Sequence, residues 1–231
     1  MKSIKSFFHS LEDSLCSIAL AAMVLLPLIE IAARRLIGQG IPGSIGYVQH
    51  LTLWVGFLGA ALAAREGRHL SLSTAANLLK GRWRTIAGTL AAAAATTVSV
   101  YLAIASAQFV WVERSSQSVL GGGLPLWIVE AIMPIGFAIV GLRFLWQTPG
   151  GWPGRLISAI GPVLVGCLNY LPEAAHTAIL WPSVILILAA TSLGAPVFTL
   201  LGGAALILFF SENVPIAVIP VEASATALVI C

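Results

Sequence analysis

Charge is what this chain has least of. Of its 231 residues, 9% are Asp, Glu, Lys or Arg and 58% are hydrophobic, and the mean hydropathy is +0.97. A soluble domain carries about 25% charged residues. So few charges cannot cover a water-facing surface, which excludes a soluble globular protein and leaves an all-α, polytopic helical membrane protein. Cysteine is sparse and scattered. Cys16, Cys167 and Cys231 form no CxxC pair and no Cys/His cluster, which excludes a disulfide framework and a thiolate metal site. His50 and His176 have no second ligand at helical spacing, so neither predicts a metal. Asp occurs once, at Asp13, outside the apolar runs. Ser99 and Ser106 lie on an apolar run, but no His is expected in a span interior. An intramembrane protease needs a Ser/His or paired-Asp site there, so an enzyme is not expected, and no cofactor is expected either. Gly121-Gly122-Gly123 lacks the following Lys-Ser/Thr and the preceding strand of a phosphate loop. It suits a sharp turn before Pro125. The net charge of +3 does not point to nucleic acid, because the basic residues flank apolar runs.

What the chain does have is long apolar runs. A helix crosses a bilayer with roughly 20 mostly apolar residues. The run 45–64 breaks abruptly into Arg65-Glu66-Gly67-Arg68-His69. Lys80, Arg82 and Arg84 follow, then the uncharged run 85–112. Two spans joined by a short basic loop read this way. Residues 1–13 predict a short amphipathic lead-in, with Ile4, Phe7, Phe8 and Leu11 on one face. Spans are predicted at 15–33, 47–64, 86–110 and 126–146. A Gly/Pro-rich turn at 38–43 separates the first two, and a polar link at 113–123 separates the last two. Ala91 to Ala95 predict a close-packing surface. The first run continues to Ile29 without a small-residue cleavage site, so an uncleaved span is expected rather than a signal peptide. Beyond a Gly/Pro linker at 147–154, about three further helices are predicted, at 156–171, 177–193 and 197–210. Gly194-Ala195-Pro196 marks a tight break. Residues 211–231 are interrupted by Glu212, Pro215, Pro220 and Glu222 and do not make a full span.

Charge placement predicts orientation. The loop after the second span carries Arg65, Arg68, Lys80, Arg82 and Arg84 against Glu66. Lys2 and Lys5 precede the first span, and Arg143 and Arg155 are assigned to the end of the fourth. Glu113 and Arg114 cancel in the link between the third and fourth. Cytoplasmic segments collect Lys and Arg, so the N-terminus and these ends are predicted inside. Arg34-Arg35 fall on the outer side, offset by Glu30 one turn earlier. The basic residues also suit the headgroups of the lipid bilayer. Trp83, Trp111, Trp127, Trp146 and Trp181 lie near predicted span ends, where aromatic rings collect at the interface. Glu30 is the most embedded acid of the first span and is expected to pair with Arg34 at i+4. Glu130, one turn into the fourth span, is expected to find a partner on the first span or on another subunit.

Residues 54–69 read Trp54-Val55-Gly56-Phe57-Leu58-Gly59-Ala60-Ala61-Leu62-Ala63-Ala64-Arg65-Glu66-Gly67-Arg68-His69. This resembles the signature of the small membrane subunit (DctQ type) of TRAP transporters, the tripartite ATP-independent periplasmic carriers. That family has a span containing W-x-x-x-L-G-A-A followed by a charged Gly/His turn. Arg34-Arg35, Pro125-x-Trp127 and Pro134-x-Gly136 agree with it, and the resemblance covers about residues 7–147. One departure stands out. The family often has an acidic pair just before the second span, where this chain reads Tyr47-Val48-Gln49-His50. Residues 181–231 resemble the opening two helices of the large TRAP subunit (DctM type), to which the small subunit is fused in some members through one extra span.

The resemblance implies three segments: a four-helix small-permease domain at 1–147, a linker with one membrane helix at 148–180, and a truncated large-permease start at 181–231. It implies a scaffold for the TRAP large permease subunit in the bacterial inner membrane. Transport would be sodium-coupled import of an organic acid delivered by a periplasmic solute-binding protein, and this chain alone would not transport. The outer segments 39–46 and 114–123 suit contact with that binding protein, with Ser44 and Ser118 as probe positions. The candidate structural or interface residues are Glu30, Arg34, Arg35, Arg65, His69 and Glu130. Two other readings stand beside it: a structural membrane protein without a transport role, and a non-functional fragment of a broken fusion gene.

Overall fold

The structure, a computed structural model, describes residues 2–66, 81–168 and 173–211. It is an all-α helical membrane fold. In hydrocarbon no water satisfies backbone groups, so apolar runs of this length close their hydrogen bonds internally as helices. Helix α1 (Lys2–Leu36) is continuous through Pro27. The lead-in expected at 1–13 is therefore its first part, since Leu11-Glu12-Asp13-Ser14-Leu15 contains no Gly or Pro to stop a helix. Helix α2 (Ser44–Glu66) returns antiparallel. Helix α3 (Arg82–Ser116) outruns the expected 86–110 at both ends and stops where Gln117 turns left-handed, φ 55. Glu113 and Arg114 thus stand on a helix, not in a link.

Strands β1 (Val119–Leu120) and β2 (Leu124–Pro125) form a small antiparallel hairpin, with Leu120 opposite Leu124. Its turn uses Gly122 and Gly123 at φ 110 and 84, values that favour glycine. The fourth predicted span is broken into α4 (Leu126–Glu130) and α5 (Ile132–Gln147). Pro134 causes the break. It has no N–H for the carbonyl of Glu130, four residues earlier, and its ring crowds that carbonyl. Helices α6 (Gly151–Leu168), α7 (Glu173–Ser192) and α8 (Val197–Ser211) follow. Helix α7 ends in a two-bond cap: Ala195 N donates to Ala190 O at 2.9 Å and Gly194 N to Thr191 O at 3.1 Å, with Gly194 at φ 113. Pro196 then cannot continue the helix.

Four helical stretches are long and apolar enough to cross a membrane: His9–Leu36, Ser44–Arg65, Arg82–Ser116 and Leu126–Gln147. The apolar parts of the last two helices, Trp181–Ser192 and Val197–Phe209, are shorter. Helix α3 is the hub and packs against α4, α5, α6, α7 and α8. Its small residues make that possible, because Ala91, Ala95, Ala105, Ser99 and Ser106 let backbones approach. Ala91 meets Ala190 and Ala195 of the α7–α8 turn, and Phe198 stacks on Phe144 with centroids 5.8 Å apart. The Tyr101 hydroxyl donates to Pro162 O of α6 at 3.0 Å. At the other side of the bundle α1 leans on α2, and α2 on α5.

Candidate functional site

One face of α2 forms a seam with α4, α5 and the hairpin. Tyr47, His50, Trp54, Phe57, Ala61 and Ala64 recur three or four residues apart and so share that face. The Tyr47 hydroxyl donates to Gly121 O. Trp54 Nε1 donates to Val129 O at 2.8 Å. The Phe57 ring meets Phe137 edge-on, with centroids 4.8 Å apart and planes at 85°. It lies over Gly136, whose missing side chain leaves the room it fills. Arg143 donates to Ala61 O, and Gln147 Nε2 to Ala64 O at 2.8 Å. The carbonyl of Ala64 is in the last turn of α2, where no intrahelical donor is left. A cation at that end also suits the helix dipole.

Glu130 and His50 sit inside this seam. Glu130 is 7% exposed, and its Oε1 lies 3.9 Å from His50 Nε2. His50 Nδ1 donates to Gly46 O at 2.8 Å, which turns Nε2 towards the carboxyl. Glu130 was expected to face the first span or another subunit. Its partner is on α2, because the break at Ala131 sets α4 against that helix. His50 is likewise inside a span, contrary to the expected absence of His from span interiors.

Two charge clusters close the ends of the bundle. At the Glu30 end, Arg34 Nε meets Glu30 Oε1 at 2.8 Å, and Glu30 Oε2 accepts the backbone N–H of Ile41. Glu30 therefore ties the loop after α1 to the helix it leaves. Gly40 lies against both side chains of the pair. Gly43 lies against Gly121, where a Cβ on Gly121 would stand 2.7 Å from Gly43 Cα. The segments 39–46 and 114–123 thus meet in one surface. Arg35 is exposed.

At the opposite end, Arg65 Nη2 meets Asp13 Oδ1 at 2.9 Å, and Nη1 lies 3.7 Å from Glu12 Oε2. Arg65 also donates to His9 O at 3.4 Å. Arg143 pairs with Glu12 Oε1. Four charges from α1, α2 and α5 lock these three helices together. Arg65 was read as a loop charge and Arg143 as a flanking one. Both are helical, largely buried and paired. Arg143 was detectable, since a charge inside the apolar run 126–146 demands a partner. Nothing in the sequence named Glu12 as that partner. His69, Arg68 and Lys80 lie outside the described residues, as does the side chain of His176. A cavity of about 170 Å³ opens near this end, bounded by Gly88, Ala91, Phe144, Gln147 and Pro196. Its one polar side chain, Gln147, is engaged with Ala64. The arrangement as a whole positions helices.

Comparison with known proteins agrees in kind. The chain matches the family described as tripartite ATP-independent periplasmic transporters, DctQ component, over residues 23–154, more than half of its length. It is 32% identical over 79 residues to a protein of Haemophilus influenzae named as a TRAP transporter small permease, a match covering 34% of this chain and 49% of that one. The chain thus spans about half the length of that relative. It is 23% identical over 181 residues to the C4-dicarboxylate TRAP transporter small permease protein DctQ of Vibrio cholerae, covering 67% of this chain and 78% of the relative.

Proposed function

This chain belongs to the DctQ component family of the tripartite ATP-independent periplasmic transporters, and from that premise we propose that it is the fixed scaffold for a large permease subunit. As a small-permease component it is a multi-pass inner-membrane protein. The proposal adds what it holds and how. The supporting observation is the uneven burial of its helices. Within the chain 44% of the apolar stretch of α3 is buried, against 11% for α1 and 11% for α2. Ile18, Leu25, Ile29 and Ile31 of α1 are all exposed. On α2, Gly56 and Gly59 have open space where a side chain would be. Small residues on an open membrane face allow another helix to approach closely. The seam and the two charge clusters hold that face rigid while a partner moves.

The Arg65 end is cytoplasmic in this reading, and so is the N-terminus. Support comes from the balance of arginines without an ion pair among the described residues: Arg82, Arg84 and Arg155 at this end, where Arg68 and Lys80 also lie in the adjoining sequence, against Arg35 and Arg114 at the other, where Glu113 offsets one charge. The partner is a large permease, served by a periplasmic solute-binding protein. Transport is import of an organic acid driven by sodium, the solute class following the name of the Vibrio cholerae relative. Residues 148–180 act as a linker and 181–231 as the start of a large-permease-like segment. The joined surface of loop 37–43 and the hairpin is the face offered to the binding protein. Ser44 is buried, at 7% exposure, so probes for that contact belong at Ile45 and Val119, which are 70% and 65% exposed.

Copurification from bacterial membranes with a matching large permease tests the scaffold. A stoichiometric complex is expected, and Gly59→Leu is expected to weaken it while the chain stays folded. Failure of the unaltered chain to hold the large permease overturns the reading. Cysteines at Ile45 and Val119 that capture no binding protein overturn the assignment of the outer surface.

A further inference from the structure

A third arginine group remains that the seam does not use. At the Arg65 end, the Arg155 guanidinium carbon lies 5.2 Å from the Trp146 ring centroid and 5.8 Å from that of Trp152. Both rings are exposed, at 63% and 74%. Two aromatic faces within about 6 Å hold a guanidinium in place and leave its charge unneutralised. No carboxylate does so: Arg155 makes no ion pair or hydrogen bond among the described residues, and its Nε is buried without an acceptor. Among the described side chains at this end, the acids Glu12 and Asp13 are engaged with Arg65 and Arg143. Arg155 also stands near the start of α6, whose first turn contains no acid. A cation is unfavourable beside the positive end of a helix dipole. The start of α3 adds two more charges. Gly150 packs against Thr85 and Pro149 against Gly88, which brings the first turn of α3, with Arg82 and Arg84, to the same turn of chain.

Depth in the bilayer identifies the counter-ion. Trp127 and Trp146 bracket α4–α5 about 28 Å apart at 1.5 Å per residue, close to the hydrocarbon thickness of about 30 Å. Trp83 and Trp111, 69% and 70% exposed, bracket α3 about 42 Å apart, close to the thickness with headgroups. Trp146 therefore marks the boundary between acyl chains and headgroups, and Arg155 lies at phosphate level. We propose that Arg155, held between Trp146 and Trp152, is a binding site for the phosphodiester of one anionic phospholipid, with Arg82 and Arg84 adding to the field. The Nη groups offer the fork that suits phosphate oxygens, and the two indoles cover the glycerol and upper acyl chain.

Native mass spectrometry of the detergent-purified chain tests this, with separate titrations of phosphatidylglycerol, phosphatidylcholine and inorganic phosphate. The first phosphatidylglycerol molecule is expected to bind several-fold more tightly than phosphatidylcholine. Arg155→Gln is expected to weaken it about fivefold, the worth of one arginine at a membrane surface, and to erase the preference over phosphatidylcholine. Arg155→Lys keeps the charge but loses the planar fork, so it is expected to fall between the two. Unfolding midpoints in the same detergent show whether Arg155→Gln is folded; if it is not, Arg155→Lys carries the test. Equal binding of the two lipids, or unchanged phosphatidylglycerol binding in the folded variant, overturns the proposal. Binding of inorganic phosphate in place of the lipid makes it a free-anion site and overturns it as well.

Discussion

The two ends of this bundle solve the same problem in opposite ways. At the Glu30 end the ion pair is local: Glu30 and Arg34 are one helical turn apart, and Glu30 also accepts the N–H of Ile41 in the next loop. At the Arg65 end the ion pairs seen among the described residues join different helices. Arg65 reaches Glu12 and Asp13, and Arg143 reaches Glu12 across most of the domain's length. The local pair fixes a loop. The distant network fixes three helices against one another. Exposure differs in the same sense. The Arg34 side chain is 68% exposed, whereas Arg143 and Glu12 are 20% and 19% exposed.

Removing the distant network is the largest test of that contrast. Arg143→Ala leaves Glu12 without its closest partner and takes a donor from Ala61 O. The expected loss is about 2–3 kcal/mol, below the full penalty for a buried pair because both side chains keep some water. Chemical unfolding in detergent measures it. A double-mutant cycle with Glu12→Gln is expected to show strong coupling, and additive effects would break the contrast. Next comes Gly121→Ala, whose new Cβ meets the Gly43 backbone. About 1–2 kcal/mol of overpacking is expected. Faster proteolysis of the loop at 37–43 gives an independent readout.

Trp54→Phe keeps the ring and drops the bond to Val129 O, so about 1 kcal/mol is expected. A change no larger than that for an exposed residue would show that the seam rests on packing alone. Arg34→Gln is the smallest change. Its partner Glu30 keeps the Ile41 N–H, and an exposed i,i+4 pair contributes about 0.3–0.5 kcal/mol. A loss as large as that of Arg143→Ala would erase the distinction between the two ends.

Much of the fold was legible beforehand. Four spans follow from run length and hydropathy, and the Gly194-Pro196 break and the turn before Pro125 follow from residues with few conformational choices. Ends of helices were the weak point. Residues 1–13 and 113–116 are polar enough to read as lead-in and link, yet a helix already closed in an apolar run continues through polar residues until something stops it. The site was less legible. The Glu30 pair is visible in i+4 spacing. The partner of Glu130 was misplaced because spacing along one helix carries no information about which other helix faces it.

The sequence by itself determined the solvent of this protein, its family and its local pairs, because each depends on composition or on residues within one turn. Only the tertiary structure decided that His50 meets Glu130, that Arg143 meets Glu12, and that two tryptophans leave Arg155 without a carboxylate. Those outcomes depend on the rotation and register of helices packed through small residues. Glycine and alanine permit close approach in many registers, and the side chains that choose one register lie far apart in the chain.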